Sequence, residues 1–354
     1  MMKGKYSMLS KKIDAFLEQY CKTRNFSGAI RVTVGGKILY ERGVGYADIE
    51  KKIPNTTKTR FSFYSMTKPF TAIGIMLLWD AGLVSLDAHP SRYVPEAAGL
   101  DGRVTVRMLM NHTSGLPDFE LDRELAQRHR PGTPERIREQ LPYLADEPMK
   151  FVPGTGNLYE NINYVLLALI IENVSGMKYA DYMRERVFLP LGAKTAYIDS
   201  YSPFVSGGAV GYEEREGELY PIHRGLDWMY GAGDAVGTLD DAYTLNLAYK
   251  NRMLLSSAAW DEIMTPSPHN NMGLGNTVNV WHGKKRIAHN GGHLGFRTLH
   301  AYLPDDDFDL IILSNCGFGN ARVEVGNGIH EAYYGSECGA TDEMKMDAGY
   351  IKSV

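Results

Sequence analysis

The feature that most constrains the fold is that segments with the pattern of β-strands lie at both ends of the chain. Near the N-terminus, residues 29–34 and 37–41 flank Gly35-Gly36, and two glycines between alternating segments are a strong hairpin signal. Beyond about residue 275 the strand pattern returns at 277–281, 285–289, 297–303 and 308–313. These two groups of strands favour a single antiparallel sheet built from both ends of the chain.

Helical patterns fill the middle of the chain. Apolar residues recur with helical spacing, broken by turn residues, in segments 71–79, 104–110, 163–174 and 179–188. Two further helices are predicted near the ends of the chain, one that Ser10 caps and one over residues 321–334. The pattern therefore predicts an α/β (α+β) chain with a helical region inserted between the two parts of the sheet.

The order of these patterns also predicts how the chain divides into domains. We expect residues 1–78 and 216–338 to form one α/β sheet domain, and residues 79–215 to form a helical insertion domain. Residues 339–354 are polar and are expected to form a loosely ordered tail. We find no internal repeat and no low-complexity linker between these parts.

Composition excludes several classes of protein. The chain has 354 residues, 44% of them hydrophobic, and its 38 basic and 42 acidic residues give a net charge of −4. This content supplies a large core, and the near-neutral charge gives no reason to expect nucleic acid or an anionic membrane as a partner. The apolar runs at 72–79 and 165–171 are shorter than the roughly 20 residues that span a bilayer. Because no secretory signal is visible, a cytoplasmic location is expected.

Cysteine and histidine residues do not form a recognisable metal-binding pattern. Cys21, Cys316 and Cys338 are odd in number and unclustered, so neither a disulfide framework nor a zinc site is indicated. His289 and His293 would share one face only on a helix, and the intervening Asn-Gly-Gly disfavours a helix. We therefore expect no metal and no cofactor. A small molecule or short peptide is the expected partner, and the oligomeric state is left open.

The strongest chemical signal is a serine three residues before a lysine. On a helix, residues three apart share a face, so Lys68 can reach the hydroxyl of Ser65. A serine hydroxyl is a weak nucleophile that needs a neighbouring base, and a partly buried lysine can supply it. Ser65 is also expected at a helix N-terminus, which favours developing negative charge. Because Pro69 has no N–H, the opening turn is expected to be irregular, and strain beside the nucleophile is a hypothesis that follows from it.

Two further elements follow at longer range. The segment Tyr159-Glu160-Asn161 comes just before a helix expected to open at Asn163, and the segment 289–292 (His-Asn-Gly-Gly) ends a predicted strand. Together with Ser65-x-x-Lys68, these elements resemble those of the serine β-lactamase and penicillin-binding-protein superfamily, in its class C-like branch. That branch includes D,D-peptidases, D-aminopeptidases and family VIII-type esterases. Further segments that resemble family landmarks are 109–116, 153–155, 166–176, 188–192 and 231–233.

The resemblance extends from about residue 10 to 335, and it implies a β-lactamase/transpeptidase-like fold and a role for each motif residue. Ser65 would be the acylated nucleophile, and Lys68 would accept or relay its proton. Tyr159 would pass the proton to the leaving group and then help to activate water. Asn161 would hydrogen-bond the substrate or Lys68. The backbone N–H groups of Ser65 and Gly292 would form the oxyanion hole, where one donor is typically worth ~10²–10³ in kcat.

The third element is also implied to bind substrate, through His289, Asn290 and Gly291, but the chain departs from the family at two positions. Asn290 stands where threonine is usual, and its amide can still hydrogen-bond a substrate carbonyl or carboxylate. Glu160 replaces the usual serine. If its side chain points outward it is merely solvated, whereas an inward carboxylate would disfavour anionic substrates and could hold an amine. Both departures count against β-lactamase activity more than against hydrolase activity.

The leading hypothesis is a metal-independent serine hydrolase that acts through an acyl-enzyme on an ester, amide or short peptide, with D-configured residues as one option. The alternative is a binding or sensor protein that recognises penicillin or a peptidoglycan fragment with little turnover. A class C-like β-lactamase is a third possibility. His112 is expected to end a helix through local hydrogen bonds, with Gly115 in a left-handed turn, rather than to take part in chemistry.

Overall fold

The computed structural model describes residues 2–117, 134–199, 207–222, 229–316 and 321–335, so the predicted tail 339–354 and Cys338 lie outside the described residues. The described strands are β1 (Ser27–Val34), β2 (Lys37–Val44), β3 (Tyr46–Asp48), β4 (Ile53–Pro54), β5 (Phe61–Ser62), β6 (Tyr197–Ile198), β7 (Tyr212–Arg215), β8 (Glu218–Pro221), β9 (Ala235–Gly237), β10 (Thr277–Trp281), β11 (Lys284–His293), β12 (Phe296–Leu303) and β13 (Phe308–Cys316). The described α-helices are α1 (Met2–Tyr20), α2 (Lys68–Asp80), α3 (Val106–Met110), α4 (Pro134–Asp146), α5 (Asn161–Ser175), α6 (Tyr179–Tyr182), α7 (Leu189–Leu191), α8 (Leu239–Asn251), α9 (Ser257–Met264) and α10 (Ala321–Tyr334).

The large sheet joins the two ends of the chain. Its strands follow the order β10-β11-β12-β13-β1-β2, with antiparallel neighbours, and the β7–β8 hairpin attaches to β13. The N-terminal and C-terminal segments meet where β1 pairs with β13, with Ile30 opposite Ile312. Both strands are buried along almost all of their length, as expected for the centre of a sheet covered on both faces. The predicted sheet built from both termini is therefore confirmed.

Helices cover the two faces of this sheet. Helices α1 and α10 pack on one face, where Ile13, Leu17, Val325 and Ile329 form an apolar cluster with residues of β1, β12 and β13. The other face belongs to a larger cluster that includes α2 and α5, both buried around most of their circumference. A helix that is apolar on all sides belongs in a protein interior. This burial gives the first residues of α2 and α5 fixed positions beside the sheet.

Two helix starts differ from the sequence prediction. Ser10 does not cap α1, because the helix already begins at Met2 and the Ser10 hydroxyl donates to the Leu39 carbonyl, 3.0 Å away. The helix expected to open at Asn163 begins at Asn161 instead, with Glu160 as its N-cap residue. Asn163 is fully buried and its Oδ1 accepts a hydrogen bond from Ser114, so it does not cap the helix.

The division of the chain into domains remains a proposal. We propose that the helices between 79 and 199 form an insertion on one face of the sheet. A boundary between residues 215 and 216 would cut the β7–β8 hairpin, so we place the return to the sheet domain before Tyr212. The turn of this hairpin, at Glu216 and Gly217, is exposed. Within the described parts of the chain, no helix has both the length and the apolar character needed to cross a membrane.

Candidate active site

Ser65 lies in a 3-10 turn, Tyr64–Thr67, that leads directly into α2. The Lys68 N–H donates to the Ser65 carbonyl, which replaces the bond that Pro69 cannot make. Tyr64 is buried and has a positive φ of 50°, a conformation that costs about 1–3 kcal/mol and persists only where the surrounding contacts offset this cost. The predicted irregular, strained turn at the serine is therefore present.

Contacts from two strands hold this turn in place. The Phe63 N–H donates to the Ala235 carbonyl at 2.8 Å, and Thr298 Oγ1 donates to the Phe63 carbonyl at 2.7 Å. The Ala235 N–H in turn donates to Thr67 Oγ1 at 2.9 Å. The turn is thus tied to β9 on one side and to β12 on the other, and the fold compensates the strain at Tyr64.

Lys68 is fully buried, and its amine lies at the centre of the site. Its Nζ is 3.0 Å from Ser65 Oγ, 2.9 Å from Asn161 Oδ1 and 2.8 Å from the Ala232 carbonyl oxygen. A neutral amine can donate its two hydrogens to the Asn161 and Ala232 oxygens, which leaves its lone pair free to accept the hydroxyl proton of Ser65. The spacing of three residues brings Lys68 to Ser65, and the start of α5 brings Asn161 to the same amine.

The Ala232 carbonyl is a site component that the sequence did not identify, although 231–233 resembled a landmark. Gly231 has a φ of 71°, and a Cβ at this position would lie 2.5 Å from the Ala168 Cβ. The Gly231 N–H also donates to the buried Asp234 carboxylate at 3.1 Å. Glycine is therefore required at this turn, which directs a backbone oxygen towards Lys68.

Tyr159 lies beside the lysine. The centre of its ring is 4.7 Å from Lys68 Nζ, 6.1 Å from the ring of His289 and 4.2 Å from the ring of His112. Glu160, the next residue, is only partly exposed and has extended backbone angles at the N-cap of α5. The segment Tyr159-Glu160-Asn161 is thus held at the site by the end of a loop and by the first turn of the buried helix α5.

The third element is part of β11. His289 is buried, and burial, with Lys68 as the next cause, lowers the pKa of its imidazole to about 3. Its ring is therefore neutral near pH 7. Asn290 Oδ1 accepts a hydrogen bond from Arg322 Nη2 at 3.2 Å, so a residue of α10 that the sequence did not single out supports this element. Within the described residues, no group of three or more His, Cys, Asp or Glu side chains could hold a metal ion.

Strand β11 runs directly against the serine turn. A Cβ on Gly291 would lie 2.1 Å from the Phe63 carbonyl oxygen and 3.1 Å from the Ser65 nitrogen. Strand β10 pairs with residues 284–288 of β11, and among the described strands residues 289–293 pair with β12 alone. Along residues 289–293, the edge of β11 opposite β12 therefore has backbone N–H and C=O groups that point away from the sheet, next to Ser65. An extended substrate could bind along it.

Comparison with known proteins gives a consistent family. The sequence model of a family described as Beta-lactamase matches residues 11–332. A penicillin-binding protein of Bacillus subtilis is 32% identical over 333 residues, which cover 86% of this chain and 71% of that protein. A D-aminopeptidase of Cereibacter sphaeroides is 27% identical over 303 residues, covering 82% of this chain and 57% of that protein.

The fold is also found in a solved structure. The crystal structure of a penicillin-binding protein from Bacillus halodurans superposes with a TM-score of 0.78 and 27% sequence identity. The match covers 90% of this chain and 98% of that one. The β-lactamase/transpeptidase-like fold implied by the sequence motifs is thereby confirmed.

Proposed function

Because the chain belongs to the beta-lactamase family and is a serine hydrolase of the β-lactamase-related type, we propose that Ser65 is its acylated nucleophile and Lys68 the base that activates it. The observation that carries this proposal is the 3.0 Å separation of Lys68 Nζ and Ser65 Oγ, with the amine anchored by two further oxygens. Nucleophile and base are within hydrogen-bonding reach, as a proton transfer requires.

In acylation, the acyl group of the substrate is transferred to Ser65 in two steps. The Ser65 Oγ forms a bond to the substrate carbonyl carbon while its proton moves to the unprotonated Lys68 amine. The resulting oxyanion is stabilised by the backbone N–H groups of Ser65 and Gly292. As the intermediate collapses, the bond to the leaving group breaks, and Tyr159 delivers the proton that Lys68 received to the leaving alcohol or amine. The product of this half-reaction is an ester on Ser65.

Deacylation uses the same groups in reverse. Tyr159 takes a proton from a water molecule as it passes its own proton to the neutral Lys68 amine, and the oxygen of this water forms a bond to the acyl carbonyl carbon. The bond from this carbon to Ser65 Oγ then breaks as the Lys68 ammonium protonates Oγ, which releases the carboxylic acid and restores the Ser65 hydroxyl. Asn161 holds the lysine amine in place throughout, since its Oδ1 lies 2.9 Å from Nζ. General acid–base catalysis of this kind typically contributes about 10²–10⁴-fold to the rate. The neutral ring of His289 lines the same side of the site and adds no charge to it near pH 7.

The substrate is a small ester, amide or short peptide, and D-configured residues at the acyl group or the leaving amine are included in this class. An extended substrate would lie along residues 289–293 of β11, with its leaving group towards His289, Tyr159 and Lys68. Asn290 would hydrogen-bond the substrate from its position beside Arg322. We propose no nucleic acid, membrane, metal or cofactor as a partner, and a cytoplasmic location stays a prediction.

The experiment that tests this function compares three forms of the protein on p-nitrophenyl butyrate, with and without a chelator. We expect Ser65→Ala to lower kcat by about 10³-fold or more, because the covalent intermediate is lost. The matched control is Ser10→Ala, which removes a serine hydroxyl on α1, away from the site. Full activity in Ser65→Ala would refute the proposal. A stable acyl adduct on Ser65 without product release would instead support a binding or sensor protein.

A further inference from the structure

His112 has an unusual conformation and location. It has a positive φ of 60° and is almost completely buried, two residues after the short helix α3 ends at Met110. Gly115 has a φ of 74°, so the expected left-handed turn at the end of this helix is present. A non-glycine residue with positive φ persists only when its surroundings hold it, and such residues cluster at functional sites. The contacts of His112 therefore need an explanation beyond the end of a helix.

His112 contacts three consecutive residues of the segment that carries Tyr159. Its carbonyl oxygen accepts a hydrogen bond from the Leu158 N–H at 3.0 Å, and its Nδ1 accepts one from the Glu160 N–H at 3.3 Å. Between these two bonds, its imidazole stacks on the Tyr159 ring, with 4.2 Å between centroids and 28° between planes. One residue thus fixes both the backbone on either side of Tyr159 and the plane of its ring.

The hydrogen bonds also determine the protonation state of His112. Asn163 Nδ2 lies 3.2 Å from His112 Nδ1, and the other end of this amide accepts a hydrogen bond from Ser114 Oγ at 2.7 Å. Two N–H groups therefore point at Nδ1, which must be unprotonated, so the single ring proton is on Nε2. Burial, followed by the nearby Lys68 and His289, holds the pKa of His112 well below its ordinary value.

We propose that His112 is a positioning residue that holds the Tyr159 phenol where it can pass a proton between Lys68 and the leaving group. The neutral imidazole keeps the Tyr159 ring centre 4.7 Å from Lys68 Nζ, and it does so without adding a second cation to the site. The inference rests on the proposed role of Tyr159. His112 itself does not touch the reacting atoms, and it acts through Tyr159.

The test uses two esters that share the same butyryl group and differ in how basic their leaving phenolate is. Phenyl butyrate releases the more basic phenolate, whose departure gains more from proton delivery, whereas p-nitrophenyl butyrate releases a weakly basic phenolate whose departure gains little from it. We expect His112→Asn and His112→Phe to lower kcat/KM about tenfold or more for phenyl butyrate, and less than about threefold for p-nitrophenyl butyrate. A merely structural role would lower both values equally.

The two variants remove different parts of the contact. Asparagine tolerates positive φ and retains an acceptor but has no ring, whereas phenylalanine retains a ring and has no acceptor. If the phenylalanine variant does not fold, the asparagine variant decides the outcome. In a Tyr159→Phe background, the further loss from His112→Asn on phenyl butyrate should disappear, because two residues that act through one group are not additive.

The possible failures are distinguishable. If Tyr159→Phe itself shows no selective loss on phenyl butyrate, the proposed role of Tyr159 is wrong. If Tyr159→Phe shows that loss and both His112 variants lose equally on the two esters, or lose nothing, the positioning role of His112 is overturned while the function of the site stands.

Discussion

Replacing Gly291 by alanine should disable the site although it changes none of the proposed catalytic side chains. The added Cβ would lie 2.1 Å from the Phe63 carbonyl oxygen, 2.4 Å from Thr298 Oγ1 and 3.1 Å from the Ser65 nitrogen. An ordinary carbon–oxygen contact is about 3.3 Å, so β11 and the serine turn would have to separate by roughly 1.2 Å. The nearest obstacle is backbone, which cannot rotate away as a side chain can.

This displacement acts on the proposed oxyanion hole, because its two N–H groups belong to the two segments that are forced apart. A misplacement of about 1 Å costs on the order of 10²-fold in rate, and loss of one oxyanion donor costs ~10²–10³. We therefore expect kcat of Gly291→Ala on p-nitrophenyl butyrate to fall by about 10²-fold or more. KM should change much less, since these donors act mainly on the transition state.

The matched control is Gly102→Ala, in the loop before α3. A Cβ at this position would meet no heavy atom within 4 Å, and the φ of Gly102 is not in the left-handed region. Neither β11 nor the serine turn is touched, so kcat should stay within about threefold of the parent value. Thermal unfolding of both variants shows whether they are folded. A folded Gly291→Ala with parental kcat, or equal losses in the two variants, would refute the reasoning.

Two further predictions concern pH and stability. Burial raises the pKa of Asp309 to about 7, so its contribution to stability is present at low pH and is lost as pH rises through 7. Asp309→Asn should therefore be more stable than the parent at pH 8, by on the order of 2 kcal/mol, and this difference should shrink towards pH 4 in denaturant titrations. An unchanged difference would contradict the assignment. Burial lowers the pKa of His330 to about 4, so the parent loses stability as pH falls below about 6.5. His330→Phe should reduce the loss between pH 7 and pH 5 by roughly 1–2 kcal/mol, and identical profiles would show that His330 does not contribute.

The parts of the fold that follow from local patterns could be predicted from the sequence. Apolar runs bounded by turn residues indicate the helices α2 and α5, and strand-like segments separated by turn residues indicate β10 to β13. The approach of Lys68 to Ser65 also follows from local geometry, because residues three apart share a helical face. In the same way, the irregular turn follows from the missing N–H of Pro69.

Contacts that depend on tertiary structure could not be predicted in this way. The oxygen of Ala232 that accepts from Lys68 is a backbone atom, which every residue has. The residue type at position 232 therefore does not indicate this contact. Arg322 reaches Asn290 from a helix that follows two strands later. The stacking of His112 on Tyr159 has no local signal in the sequence, because the two residues lie far apart along the chain. The hydrogen bond from Ser114 to Asn163 is one of the tertiary contacts that align these two segments.

The central claim is that Ser65 carries the acyl group during turnover, and the most direct measurement is the mass of the protein during reaction. Parent protein and Lys68→Met should each be mixed with p-nitrophenyl butyrate, quenched in acid within the first turnovers, digested and analysed by mass spectrometry. We expect one butyryl group on the peptide that contains Ser65 in the parent, and about 10²-fold slower formation of this adduct in Lys68→Met. The account would be contradicted by a butyryl group on a residue other than Ser65. It would also be contradicted if p-nitrophenol were released while no butyryl group was found on Ser65 at any quench time.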